Sequence, residues 1–94
     1  MTGQEGALSI QVHYIEGHTT AADGELRQRL SDLMAGLGHL PGFVSADLLC
    51  SPAQPHLCLL ESRWAGSVPD LEIPVGCKSW VFTVTESWTP PPQA

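Results

Sequence analysis

Two polar side chains on the first predicted strand, His13 and Tyr14, are the residues best suited to chemistry in this chain. An imidazole can take a proton from an activated carbon, and a phenol can donate a hydrogen bond to the oxyanion that forms. Such a reaction needs apolar walls that keep water away, which Trp64, Trp80 and Phe82 could supply. The competing interpretations are a histidine on a polar strand face and aromatic residues that only pack in a core or a dimer interface.

The other histidines and the cysteines give weaker signals. His18, His39 and His56 fall in predicted loops or caps without metal-ligand spacing, so we expect surface side chains and no metal site. Three cysteines without C-x-x-C spacing argue against a zinc knuckle and against a secreted disulfide framework. Cys50 and Cys58 could lie opposite each other across a hairpin, where two reduced thiols are favoured and a cross-strand disulfide is the alternative.

Composition narrows the class of protein. The 94 residues show no repeat and no linker, so we expect one domain over 1–94 with flexible tails at 1–6 and 89–94. A net charge of -6 with four basic residues opposes phosphate contacts, which excludes nucleic acid and anionic membranes as partners. The chain shows no basic leader with an apolar core and no run of about 20 apolar residues, so a cytoplasmic protein is expected.

Four segments have the pattern of β-strands. The first and fourth alternate apolar and polar residues, whereas the second and third are runs rich in apolar and β-branched residues that flank a loop with two prolines, as in a hairpin. The predicted strands cover 7–15, 43–50, 57–64 and 80–88. Alternation in the first strand places Tyr14 on an apolar face and His13 on the more polar face. In the hairpin formed by the second and third strands, Arg63 can pair with Asp47 or with Glu61, depending on the register.

One helix is predicted between the first two strands. Asp23 or a nearby threonine can cap its start, Gly38 suits a left-handed cap at its end, and Pro41 prevents its continuation. After the third strand, the prolines within 65–78 allow at most a turn or two of helix. The apolar stripe of the first helix consists of Leu26, Leu30, Leu33, Met34 and Leu37.

This order of elements predicts an α+β fold of the ferredoxin-like type. The βαββ(α)β pattern gives a four-stranded antiparallel sheet with helices on one face, and right-handed crossovers place the first and third strands in the centre. The third strand is apolar on both faces, although helices cover only one of them. We therefore expect a homodimer that forms through the uncovered sheet face.

Residues 40–49, LPGFVSADLL, and 59–64, LLESRW, resemble the central signature of the antibiotic biosynthesis monooxygenase (ABM) superfamily, the dimeric α+β barrels. The resemblance implies a homodimer whose two sheets close into a barrel, with a small pocket between sheet and helices. Some members oxidise polycyclic aromatic substrates with oxygen and no cofactor, some act on quinols, and some degrade haem. The haem-degrading branch depends on a histidine after the third strand, and 65–78 contains none, so haem degradation is not expected and haem binding is a weaker third alternative. We expect no cofactor.

The resemblance implies a cofactor-independent monooxygenase that acts on a small hydrophobic or aromatic substrate. His13 and Tyr14 would then be catalytic, and Trp64, Trp80 and Phe82 would bind the substrate. The alternative is a dimeric ligand-binding or structural module that has kept the barrel without the catalytic helix. A pocket filled by the large aromatic residues favours the module, whereas an open cavity that reaches His13 favours the enzyme.

Overall fold

The computed structural model describes residues 9–18 and 24–92. The elements of this part of the chain are β1 (Ile10–His18), α1 (Glu25–Leu37), β2 (Phe43–Cys50), β3 (Leu57–Ala65) and β4 (Lys78–Thr83). The strands form one antiparallel sheet in the order β2-β3-β1-β4. The first and third strands are therefore central, as predicted, and this small α+β fold is compatible with the ferredoxin-like class.

Strand β1 extends further than the sequence pattern predicts. Gly17 and His18 were expected in a loop, but they pair with Cys58 and Leu57 of β3. A Cβ atom on Gly17 would lie only 2.7 Å from a methyl group of Leu26, so the strand can pass this close under α1 only because the residue is glycine. The predicted start of the strand at 7–8 lies outside the described residues.

Helix α1 packs on the sheet through the predicted apolar stripe, of which Leu26, Leu30 and Leu37 are buried. The residue before the helix is Gly24, whereas the predicted cap Asp23 lies outside the described residues. The predicted left-handed cap at Gly38 is wrong, because its φ of -64° is right-handed. The chain instead leaves the helix through a tight turn, in which the Leu40 N–H donates to the Leu37 carbonyl at 3.0 Å.

The segment after β3 contains no helix. Residues 67–74 have neither helix nor strand, so the predicted turn or two of helix is absent from this stretch. Pro69 and Pro74 lack the N–H groups that a helix would use and disfavour helical conformations in the residues before them. Ile73 and Cys77 nevertheless pack against the core, so this irregular segment covers part of the hydrophobic core.

Strand β4 ends earlier than predicted. Its last paired residue is Thr83, opposite Gln11, and the Val84 N–H donates to the Ile10 carbonyl at 2.9 Å. Ile10 is the first residue of β1, and in the same register 86–88 would face positions before Ser9, which lie outside the described residues. The alternation within 84–88 predicted a strand there, but these residues have no strand structure.

The hydrophobic core lies between α1 and one face of the sheet. Its buried members are Ile15, Leu26, Leu30, Cys58 and Leu60. The opposite face of the sheet, called the open face below, carries the side chains that alternate with Ile15 and Leu60 along the central strands. No helix within the described residues is long and apolar enough to cross a membrane.

Candidate functional site

His13 and Tyr14 lie on opposite faces of the sheet. Ile15 packs in the core under α1, and strand alternation places His13 on that same side. Tyr14 therefore projects from the open face, directly opposite Glu61 of β3. Because a four-stranded sheet separates the two side chains, they cannot contact the same small molecule from one pocket of a subunit.

His13 is a buried residue. Its side chain is 5% exposed, between Ser62 of β3 and Val81 of β4, and its Nδ1 atom has no hydrogen-bond partner within the described part of the chain. Burial lowers the pKa of His13, which keeps the imidazole neutral. The sequence pattern places His13 on the more polar face of β1. This face packs toward α1, so His13 is buried and not exposed to solvent.

Trp64 belongs to the interior on the same side of the sheet. The residue is 0% exposed, and its indole Nε1–H donates to the Ser62 hydroxyl at 2.9 Å. Its ring meets Phe43 edge to face, with ring centroids 5.4 Å apart. Trp64 therefore acts as a core residue with a satisfied polar atom, rather than as the wall of an open pocket.

The open face carries a groove of about 450 Å³. The side chains along it include Val12, Tyr14, Arg63 and Phe82, and the ring of Phe82 meets Tyr14 edge to face at 5.6 Å. Trp80 lies directly opposite Tyr14 on β4. The structure thus brings Tyr14, Trp80 and Phe82 together on the open face and leaves His13 and Trp64 on the other.

The polar lining of this groove includes Arg63, Thr83, Glu86 and Ser87, and the Glu61 carboxylate lies beside Tyr14 on the same face of the sheet. The Tyr14 hydroxyl donates to Oε2 of Glu61 at 3.1 Å, and Nη2 of Arg63 lies 3.8 Å from the same oxygen. Of the two partners predicted for Arg63, the structure thus selects Glu61, two residues earlier on the same strand and face. Burial raises the pKa of Tyr14, and the hydrogen bond to Glu61 and its negative charge add to this effect.

This arrangement can hold an aromatic molecule that carries a hydroxyl group. Phe82 and Val12 offer apolar contacts, and the oxygen of Tyr14, whose proton is donated to Glu61, can accept a hydrogen bond from such a hydroxyl group. The sequence indicated Glu61 and Arg63 only as an ion pair. Residues two positions apart on a strand lie on the same face, and the register of β3 against β1 places both residues on the face of Tyr14. Within 9–18 and 24–92, no group of three or more His, Cys, Asp or Glu residues could bind a metal ion.

The fold and the groove define a small α+β protein with a four-stranded antiparallel sheet and a single helix in the described part of the chain. Comparisons with protein-family models, with curated proteins and with solved structures gave no match to this chain.

Proposed function

We propose that this chain forms a homodimer through the open face of its sheet and binds a small aromatic molecule of the quinol or anthrone type. The observation that supports this function is the Tyr14–Glu61 hydrogen bond beside a groove whose lining includes Val12, Phe82 and Val84. The oxygens of Tyr14 and Glu61 can accept hydrogen bonds from the hydroxyl groups of such molecules, and the apolar side chains of the groove can contact their rings. The sequence resemblance to the dimeric α+β barrels points to the same class of ligand.

The dimer is supported by the apolar side chains that the open face leaves in water. Trp80, Phe82 and Leu49 of this face are 42%, 55% and 44% exposed. A sheet face with several large exposed apolar residues is typical of an interface. A second copy across this face would bury them and would also close the groove, so that the ligand would be held away from water.

The second candidate is cofactor-independent oxygenation of the ABM type, and the same residue pair favours it. Glu61 would accept a proton from the activated carbon of an anthrone-type substrate, and the Tyr14 hydroxyl would stabilise the resulting enolate. Addition of one oxygen molecule and loss of water would then convert the methylene group into a carbonyl. The role predicted for His13 stays a prediction, and it would require a pocket on the helix side of the sheet.

Calorimetric titration with an anthrone and with a hydroquinone tests the binding function. Tyr14→Phe removes only the hydroxyl, so we expect roughly 2- to 10-fold weaker binding, which corresponds to one hydrogen bond of about 0.5–1.5 kcal/mol. Ser79→Ala, on the neighbouring edge strand β4 and on the helix side of the sheet, should bind like the wild type. Equal affinities of Tyr14→Phe and the wild type, or no binding at all, would contradict the proposal.

Oxygen uptake separates the two candidate functions. An oxygen electrode should record consumption above the uncatalysed rate if the chain is an enzyme, and Glu61→Gln should abolish this excess because an amide cannot accept the proton. Binding of the ligand without oxygen consumption would favour the non-catalytic ligand-binding module and would rule out the monooxygenase. Impaired uptake in His13→Ala together with full uptake in Tyr14→Phe would instead place the reaction on the helix side.

A further inference from the structure

A pair of cysteines lies on the opposite face of the sheet from the groove, at the loop end of the β2–β3 hairpin. We propose that Cys50 and Cys58 are a reversible redox site, which closes to a cross-strand disulfide when the protein meets a low-molecular-weight disulfide such as oxidised glutathione. This site is independent of the ligand groove. It neither requires nor excludes the dimer, because the two thiols lie on the helix side of the sheet.

The strand register supplies the geometry. Cys50 and Cys58 are direct cross-strand partners, and their Sγ atoms are 3.6 Å apart. The adjacent Ser51 N–H donates to the Leu57 carbonyl, which makes the cysteines a non-hydrogen-bonded pair. The Cα atoms of such pairs are about 4.5 Å apart, within the span of about 4.4–6.8 Å that disulfides require. Small side-chain rotations can therefore bring the sulfurs to bonding distance, about 2.05 Å.

The two thiols differ in accessibility, which sets the order of the exchange. Cys50 is exposed, whereas Cys58 is buried at 3% exposure. Burial raises the pKa of Cys58, and the contact with Cys50 adds to this effect, while the charge of Arg27 opposes it. An incoming reagent should therefore react first at Cys50, and Cys58 should act as the resolving thiol.

The exchange proceeds in two balanced steps. The Cys50 thiolate attacks one sulfur of the external disulfide, forms a mixed disulfide and releases one thiolate of the reagent. The deprotonated Cys58 sulfur then attacks the sulfur of Cys50, which forms the internal disulfide and releases the second thiolate. Both cysteine protons end on the two released thiols, so two protein thiols are oxidised while one external disulfide is reduced.

The third cysteine, Cys77, is not paired with Cys58 in the sheet. Cys77 precedes β4, on the other side of β1, and its Sγ atom lies 2.9 Å from the position that a Cβ atom of Gly17 would occupy. Cys50, by contrast, is the direct cross-strand partner of Cys58, and the Sγ atoms of these two residues are in contact. Cys77 therefore offers a matched control.

Equilibration of the full chain with glutathione buffers of graded redox potential tests the proposal. After an acid quench and maleimide labelling, intact mass should show that the wild type falls from three labelled thiols to one. Peptide mapping should recover a linked pair that contains Cys50 and Cys58. Cys77→Ser should show the same transition from two thiols to none, whereas Cys50→Ser should form no internal disulfide.

Three results would contradict the proposed redox site. The wild type could keep three labelled thiols even in oxidised glutathione, the linked peptide could contain Cys77, or glutathione could stay attached to Cys50. A disulfide between two copies, visible on a non-reducing gel, would count against it as well. The peptide map uses wild-type protein, so the decision does not depend on whether a cysteine variant folds.

Discussion

At the scale of single residues, Tyr14 and His13 occupy two different chemical environments although they are neighbours in sequence. Tyr14 shares a hydrogen bond with Glu61 beside the groove on the open face, whereas His13 is buried on the helix side without a partner for Nδ1 within the described residues. Tyr14 thus lines the groove, whereas His13 belongs to the interior.

The buried histidine predicts a pH dependence of stability. Because the pKa of His13 is lowered in the folded state, the unfolded chain binds more protons once the pH falls below the ordinary histidine value of about 6.5. The contribution of His13 to the free energy of unfolding should therefore be constant above that pH and should decrease below it. Urea unfolding between about pH 7.5 and about pH 5.5 measures this decrease.

Variants assign that pH dependence to His13. His13→Leu removes the titrating group from its buried site and should flatten the profile, whereas His56→Gln, at an exposed loop position, should leave the slope unchanged. The assignment fails if the His13→Leu protein loses stability at low pH as steeply as the wild type. The comparison uses the slope, so a constant loss of stability from the changed packing does not affect it.

At the scale of elements, the turn between α1 and β2 depends on one glycine. Gly42 has a φ of 85°, and a Cβ atom there would lie 2.7 Å from the Ala65 carbonyl oxygen. The Ala65 N–H also donates to the Gly42 carbonyl at 2.7 Å, so the turn is joined to the end of the central strand β3. The P-G-F sequence is thus needed for a close backbone contact as well as for ending the helix.

Gly42→Ala should destabilise the protein by about 1–3 kcal/mol, because a side chain in the left-handed region is strained and the Ala65 carbonyl leaves no space for it. Gly38→Ala is the matched control, because Gly38 has a right-handed φ and no atom within 4 Å of its Cβ position. That change should be neutral or should stabilise by about 0.4–1 kcal/mol. Urea unfolding of both variants checks the difference, and equal stabilities would contradict the role of the turn.

At the scale of the whole molecule, the sheet has one covered and one open face, and edge strand β4 exposes residues on both. Phe82 lies on the open face and is 55% exposed, whereas its neighbour Val81 lies on the helix side and is 51% exposed. The two positions are similar in exposure and differ in face. They therefore test which face forms the proposed dimer.

Sedimentation velocity should show a dimer for the wild type and for Val81→Glu, but a monomer for Phe82→Glu. A carboxylate buried without a partner in the interface costs about 3–5 kcal/mol, so dimerisation should weaken by at least about 100-fold. A wild-type monomer at all concentrations would refute the dimer. Equal weakening by both variants would refute the choice of the open face.

Local pattern by itself determined the types and the order of the elements. A run rich in apolar and β-branched residues before a proline-containing loop predicted β2 with its observed bounds, and the apolar stripe from Leu26 to Leu37 predicted α1, because both signals come from residues close together in the chain. The apolar character of Leu57 to Leu60 also predicted that β3 is central. These features depend on residues that are close together in the chain, so the residue pattern alone is enough to predict them.

Only the tertiary structure decided which face of each strand is covered and which residues meet. Alternation separates His13 from Tyr14, but contacts with α1, distant in the chain, select the face that becomes the core. The register of β3 against its neighbours then places Glu61 beside Tyr14 and Cys58 beside Cys50. A shift of one residue would reverse every face, so these pairings depend on packing between distant segments, which local pattern does not specify.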